Sequence, residues 1–216
     1  LGHDHLDALV LTGAGPCFSN GIDFRAMASA RVQGRPAADR FNRAIRQMIL
    51  DLWTCPRPTV AAVNGHAVAM GFLVAAACDF RFVLEGDAGF GLTELSFGGG
   101  FSTLALELGR HVLGRDLPQV VLGAERFDWR AGVRNGAFTR SFSDAEQLVE
   151  AAVARARALG KLPREAYAQA KAQLLAARVD RVRSESEEQR RRVDAIYESE
   201  ESAAAMTAHM QRLLQG

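Results

Sequence analysis

Three glycine-bearing segments carry the groups best suited to chemistry: Cys17-Phe-Ser-Asn-Gly-Ile-Asp-Phe24, Asn64-Gly-His-Ala-Val-Ala-Met-Gly-Phe-Leu73 and Gly91-Leu-Thr-Glu94-Leu-Ser-Phe-Gly-Gly-Gly100. Gly21 and Gly71 free the backbone for turns in which successive N–H groups point into a cleft, an arrangement that holds a developing oxyanion. A helix starting near Met70 adds the pull of its N-terminal dipole. Glu94 places a carboxylate in the third segment. Taken singly, a glycine turn after a strand is only a turn and Glu94 only an exposed glutamate at a strand end. Their order, each behind a predicted strand, is what couples them. Other chemistries fit less well. Gly13-Ala14-Gly15 invites a dinucleotide-binding reading, but Phe18 stands where GxGxxG requires glycine and Pro16 disrupts the helix start. His3, His5, His66, His111 and His209 show no HExxH or other ligand spacing, so no metal site is expected. Ser102 lacks the GxSxG elbow, and no Asp and His follow it in the order a serine hydrolase of that type needs.

Short strands alternating with helices must position these segments. Leu6–Thr12, Thr59–Val63 and Phe80–Leu84 read as buried strands closed by turn residues, and Gly89–Leu92 as a further short one. Asp39–Leu52 has apolar residues at helical spacing, the second part of Ala67–Cys78 reads as a buried alanine-rich helix, and Phe101–Leu113 as another. From Asp144 onward the pattern is almost continuously helical, interrupted at Gly160. This predicts an α/β core over residues 1–143 and a helical lobe over 144–216. Within that lobe Arg178–Arg192 mixes charges at helical spacing, which reads as a solvated face or a subunit contact.

Composition sets the outer limits. The 216 residues are 48% hydrophobic and 24% charged, the range of ordinary globular chains. The 26 Lys+Arg against 25 Asp+Glu leave a net charge of +1, so no basic field advertises nucleic acid or an acidic membrane. The longest apolar run, Ala67–Cys78, falls short of the roughly 20 residues a spanning helix needs, so no membrane span is expected. Cys17, Cys55 and Cys78 form no CxxC pair, which fits buried thiols in a reducing cytoplasm. The chain begins at Leu1 with no signal-peptide pattern, and an N-terminal piece is expected to be missing.

From Leu9 to about Phe142 the motifs resemble the crotonase superfamily, the enoyl-CoA hydratase/isomerase fold, and the helical tail resembles it by pattern. The resemblance implies a spiral of ββα units with a helical C-terminal trimerisation lobe. LVLTGAGPCFSNGIDF is similar to the family's first oxyanion-hole loop and implies that Ile22 offers a backbone N–H, with thioester-binding main chain at Ser19, Asn20, Ile22 and Asp23. TVAAVNGHAVAMGFLVAAACDFR is similar to the second loop and implies a second N–H donor at Met70, beside Gly71; Ala69-Met70-Gly71 replaces the family's frequent triple glycine. Where hydratases of this family carry one glutamate the chain has Leu73, and Glu94 falls on the glutamate of the single-acid 3,2-enoyl-CoA isomerases. Adding water across a double bond benefits from two carboxylates, whereas moving a double bond needs one base that takes a proton at C2 and returns it at C4. The resemblance thus implies an enzyme of fatty-acid metabolism acting on an acyl-CoA, or an acyl-carrier-protein thioester, through an enolate. No cofactor beyond the coenzyme A of the substrate is implied, and the assembly implied is a homotrimer or a dimer of trimers. Met70-Gly71-Phe72 is also similar to the carboxymethylproline synthases, which decarboxylate malonyl-CoA and then form a C–C bond. A protein that kept the fold as a non-catalytic thioester-binding scaffold is the reading from another class.

Overall fold

A computed structural model describes residues 6–215. The chain winds through strand–strand–helix turns, each of which gives one strand to each of two sheets. The first turn holds β1 (Leu9–Thr12), β2 (Cys17–Ser19), α1 (Phe24–Val32) and α2 (Arg35–Trp53); the second holds β3 (Thr59–Val63), β4 (His66–Val68) and α3 (Met70–Ala76). The third holds β5 (Phe80–Leu84), β6 (Phe90–Gly91) and α4 (Thr103–Leu113), followed by α5 (Leu117–Gly123), α6 (Trp129–Arg134) and β7 (Arg140–Phe142). Helices α7 (Ala145–Gly160), α8 (Arg164–Arg183), α9 (Glu187–Tyr197) and α10 (Glu200–Gln215) complete the chain. The larger sheet runs β1-β3-β5-β7 and the smaller β2-β4-β6, and every neighbouring pair is parallel. This is the spiral α/β architecture with a helical C-terminal region that the motifs imply.

Strand β3, TVAAV, shows why the core sits where it does. All five residues are buried. Because successive side chains of a strand point to opposite faces, Val60 and Ala62 pack with Phe82, Phe142, Leu148 and Ala152 under α7, while Ala61 and Val63 join the main core around Phe72, Leu73, Phe90 and Leu108. α7, read from sequence as the first helix of the lobe, thus covers one face of the larger sheet.

Several boundaries differ from the sequence reading, each for a local reason. Strand β1 begins at Leu9 rather than Leu6, because Asp7 is held by an ion pair to Arg164 and lies against Gly160 at the end of α7. Strands β2 and β4 were expected as loop; at three residues each they carry too little alternation to stand out. Helix α1 was missed because none of its residues is buried, so it has no apolar stripe. Helix α2 starts four residues early, at Arg35, where Pro36 pre-sets the first turn. The charged segment Arg178–Arg192 is not one continuous face. It breaks before Ser186, whose Oγ accepts from the Gln189 N–H at 3.1 Å while Gln189 Oε1 accepts from the Ser186 N–H at 2.8 Å, a capping box that starts α9. Arg178 and Arg181 pair with the buried Glu107 of α4 at 3.2 and 2.9 Å, Arg178 partly covered and Arg181 still 69% exposed, whereas Arg191 and Arg192 pair with Glu187 and Glu188 of their own helix.

A second, partly buried carboxylate ties α8 to the larger sheet. Asp79 Oδ2 accepts from the Thr59 N–H at 2.9 Å and from the Tyr167 hydroxyl at 2.9 Å, while its Oδ1 lies 2.8 Å from Lys171 Nζ. Lys171 is 7% exposed, so its charge depends on this partner. Asp79→Ala is therefore expected to cost about 3 to 5 kcal/mol by leaving a buried ammonium unpaired, whereas Tyr167→Phe is expected to cost about 1 kcal/mol. Urea denaturation of the two variants checks this ordering, and equal losses would contradict it.

Candidate active site

The three segments singled out from sequence leave the C-terminal ends of the three strands of the smaller sheet. Asn20-Gly21-Ile22 follows β2, Ala69-Met70 follows β4 and Leu92-Thr93-Glu94 follows β6. Parallel pairing, with Cys17 opposite His66 and Ala67 opposite Phe90, brings these ends to one side. Glycines let them come close. A Cβ on Gly71 would lie 2.0 Å from the Ser19 carbonyl oxygen, so only glycine lets α3 rest on β2 there. Gly21, at φ +97°, is so near the start of α3 that a Cβ would lie 3.5 Å from the Met70 amide nitrogen. The two amide-bearing turns are thus built against each other.

Ala69 holds the second turn in an unusual conformation, φ 51° and ψ −127°, which costs a residue with a Cβ on the order of 1 kcal/mol or more. Its N–H donates to the Gly91 carbonyl at 2.8 Å, so the strained residue is pinned to β6. Met70, the first residue of α3, has no acceptor for its N–H within the helix. Ile22 sits just before Asp23, whose carboxylate caps α1 by accepting from the Arg25 and Ala26 N–H groups at 2.8 and 3.3 Å. Phe24, next in the chain, packs edge-on against Phe97 with ring centroids 6.3 Å apart and so links the first turn to the segment that carries Glu94.

Glu94 is 6% exposed and opens a 3-10 turn, Glu94–Phe97. The exposed strand-end glutamate of the sequence reading is thereby excluded. Its Oε2 is buried with no hydrogen-bond partner among the described residues. Burial pushes its pKa up from 4.5 to about 7, a rise that a hydrogen bond from its own backbone N–H partly offsets. Of the apolar residues beside it in sequence, Phe90, Leu92 and Phe97 are buried, but Leu95 is 43% exposed and forms no wall.

Ile22, Met70, Leu73 and Glu94 line one cavity of about 1420 Å³, large against the roughly 300 to 1,000 Å³ of ordinary ligand sites. Leu73, 2% exposed, presents hydrocarbon to the same cavity. A side cavity of about 270 Å³, shared by Ile22 and Met70, adds Ser19 and Asp23. Asn20 is exposed and Gly71 is packed on Ser19, so these two lie at the edge of the site and beneath it. His66 is occupied elsewhere, its Nδ1 accepting from the Gly89 N–H at 2.9 Å. Ser102 caps α4, its Oγ accepting from the Ala105 N–H at 3.2 Å. His3 and His5 lie outside the described residues.

The far wall was not legible in the motifs. It comes from α2, with Arg46, from α9, with Tyr197, and from Glu185 in the break just before α9. Glu185 accepts from the Thr103 N–H at 2.8 Å and pairs with Arg46, which also donates to the Val182 carbonyl at 2.7 Å. These contacts hold its carboxyl below the usual glutamate range despite burial. They connect residues more than eighty apart in the chain, and the one local signal was the capping box at Ser186.

Comparison with known proteins identifies the family and the fold. The family model described as enoyl-CoA hydratase/isomerase matches residues 2–214. The human mitochondrial Delta(3,5)-Delta(2,4)-dienoyl-CoA isomerase is 29% identical over 184 residues, 79% of this chain and 55% of that protein. The chain spans about half the length of such curated relatives. The crystal structure of an enoyl-CoA hydratase/isomerase family protein from Pseudomonas syringae superposes with a TM-score of 0.76 at 27% identity, covering 85% of this chain and 78% of that one. Human mitochondrial delta3-delta2-enoyl-CoA isomerase shares the fold with a TM-score of 0.86 at 21% identity, over 95% of this chain and 80% of that one. The chain belongs to the enoyl-CoA hydratase/isomerase family.

Proposed function

We propose that the protein shifts the double bond of an enoyl thioester, most simply a 3-enoyl-CoA, through an enolate. The thioester oxygen is received by the N–H groups of Ile22 and Met70, and Glu94 takes the proton from C2 and returns it at C4. The observation that carries this reading is the meeting of Ile22, Met70 and Glu94 on one cavity whose neighbouring position is Leu73. A positioned amide donor is worth about 3 to 4 kcal/mol to a developing oxyanion, and a pKa near 7 lets one carboxyl both accept and release a proton near neutrality. Met70-Gly71-Phe72 favours a second reading, decarboxylation of a malonyl thioester, in which loss of CO₂ makes the enolate without a base. The exposed Leu122 of α5 and Leu174 of α8 support assembly as a homotrimer or dimer of trimers; light scattering should give three or six chains, and a monomer at assay concentration would contradict it.

Mass spectrometry after incubation with 3-enoyl-CoA, 2-enoyl-CoA and malonyl-CoA thioesters separates the readings. Isomerisation predicts interconversion of the first two without hydration, and Glu94→Gln should lower turnover by on the order of 10² to 10⁴ while thioester binding survives. If CO₂ is released from malonyl-CoA and that release is spared in Glu94→Gln, the second reading replaces the first. An unimpaired variant in every assay, with binding intact, leaves a binding scaffold.

The raised carboxyl also sets a pH dependence. Because the carboxylate is the form that removes the C2 proton, kcat/KM should fall as pH drops through about 7. Stability runs the other way. A carboxyl whose folded pKa lies above its unfolded value favours the folded state below pH 4.5, and that contribution is lost as pH rises through about 7. Glu94→Gln should therefore raise the melting temperature at pH 8, where the ionised side chain costs roughly 3 kcal/mol, and change it little at pH 4.5. Calorimetry at the two pH values checks the sign.

A further inference from the structure

Glycines 98 to 100, directly behind the turn that carries Glu94, form a seat for the C-terminal helices. A Cβ on Gly98 would lie 2.8 Å from Ser202 Cα of α10; one on Gly100 would lie 3.1 Å from Ile196 Cδ1 of α9. Between them, a Cβ on Gly99 would be 2.8 Å from the Tyr197 hydroxyl and 3.1 Å from the Glu94 carbonyl oxygen. The Gly99 N–H donates to that same Glu94 carbonyl at 2.8 Å, closing the turn, and the Tyr197 hydroxyl donates to the Gly100 carbonyl at 3.1 Å, closing it from outside. Tyr197 also lines the cavity onto which Glu94 opens. A residue a hundred positions downstream is thus keyed into the backbone of the acid's own turn.

We infer that Tyr197 is a positioning residue for Glu94: its ring, clamped by Gly99 and the Gly100 carbonyl, fixes the turn and keeps water from the carboxyl. This rests on Glu94 being the acid/base group. Burial pushes the phenol's own pKa up and the Glu94 charge adds to that rise, so the hydroxyl stays a neutral donor. Other ionisable groups line the cavity from α2, where Arg35, Asp39, Arg43 and Arg46 stand, and from Glu185, Glu187, Arg190 and Arg191 at the start of α9 and just before it. Arg31 of α1 and Asp194 and Glu198 of α9 line the same cavity, and His209 of α10 stacks on Phe97 with centroids 5.5 Å apart. Helix α5, which also packs against the turn, carries no ionisable side chain. Since burial is the largest cause of the raised Glu94 pKa, removing the ring should move that pKa more than removing any one charge.

The test is the pH profile of kcat/KM for isomerisation of a 3-enoyl-CoA by the full chain, in Tyr197→Phe, Tyr197→Ala and Glu94→Gln. Tyr197→Phe keeps the ring and is expected to keep the acid limb near pH 7, with turnover within a few-fold of the parent. Tyr197→Ala admits water and should move the limb down by about one unit or more, toward the ordinary carboxylate range. If Tyr197→Ala does not fold, Tyr197→Leu makes the milder probe, since it removes the ring and its hydroxyl while leaving the backbone of Gly98 to Gly100 unchanged; a shift in the same downward direction is expected. A folded Tyr197→Ala or Tyr197→Leu variant that melts earlier but keeps the parent's limb would reduce Tyr197 to a packing residue and overturn the inference. Full activity in Glu94→Gln would instead remove the reading on which it rests, and the two failures are told apart by that variant.

Discussion

The close approach of β2 to the start of α3 is the constraint on which the rest depends. Two backbone turns can share one oxyanion only if their amides lie within a few ångströms, and side chains normally keep backbones further apart. Here Gly71 lets α3 rest on the Ser19 carbonyl, and Gly21 takes the φ of +97° that turns the first loop beside the Met70 amide. The small sheet β2-β4-β6 supplies the register that makes the approach reproducible, and its third strand delivers Glu94 to the same side. In the larger sheet, α7 covers the face formed by Val60, Ala62 and Phe82 of β3 and β5.

Strain and burial are concentrated where the proposed chemistry needs them. Ala69 keeps a conformation that glycine would adopt more easily, and Glu94 keeps a carboxyl oxygen in the interior with no hydrogen-bond partner among the described residues. Neither feature helps the fold. Both are sustained by rigid surroundings: the Ala69–Gly91 hydrogen bond on one side, and on the other a turn closed by Gly99 and covered by α9 and α10. The helical region contributes more than cover, because its arginines and Lys171 neutralise the buried carboxylate of Glu107 and the partly buried one of Asp79.

How much of this could be read from the chain alone follows from the range of each interaction. The strands Thr59–Val63 and Phe80–Leu84 are five-residue apolar runs bounded by turn residues, and they were found at their true limits. The segments at Ile22, Met70 and Glu94 were legible because glycines and one acid mark them within ten residues of a strand. Three-residue strands, and α1 with no buried face, leave no periodic signal. The pairing of Arg178 and Arg181 with Glu107, the Arg46–Glu185 pair and the seating of Tyr197 on Gly99 depend on packing between distant segments, which no local pattern records.

The central claim, that one buried carboxyl removes a C2 proton while two backbone amides hold the enolate, is tested most directly by hydrogen exchange. A saturated acyl-CoA cannot isomerise, but in D₂O its C2 hydrogens can be followed by NMR in the presence of the protein. The account predicts deuterium incorporation at C2 with the parent chain and essentially none with Glu94→Gln, although both bind the thioester. Equal exchange by the two proteins, or none by either despite binding, would contradict it.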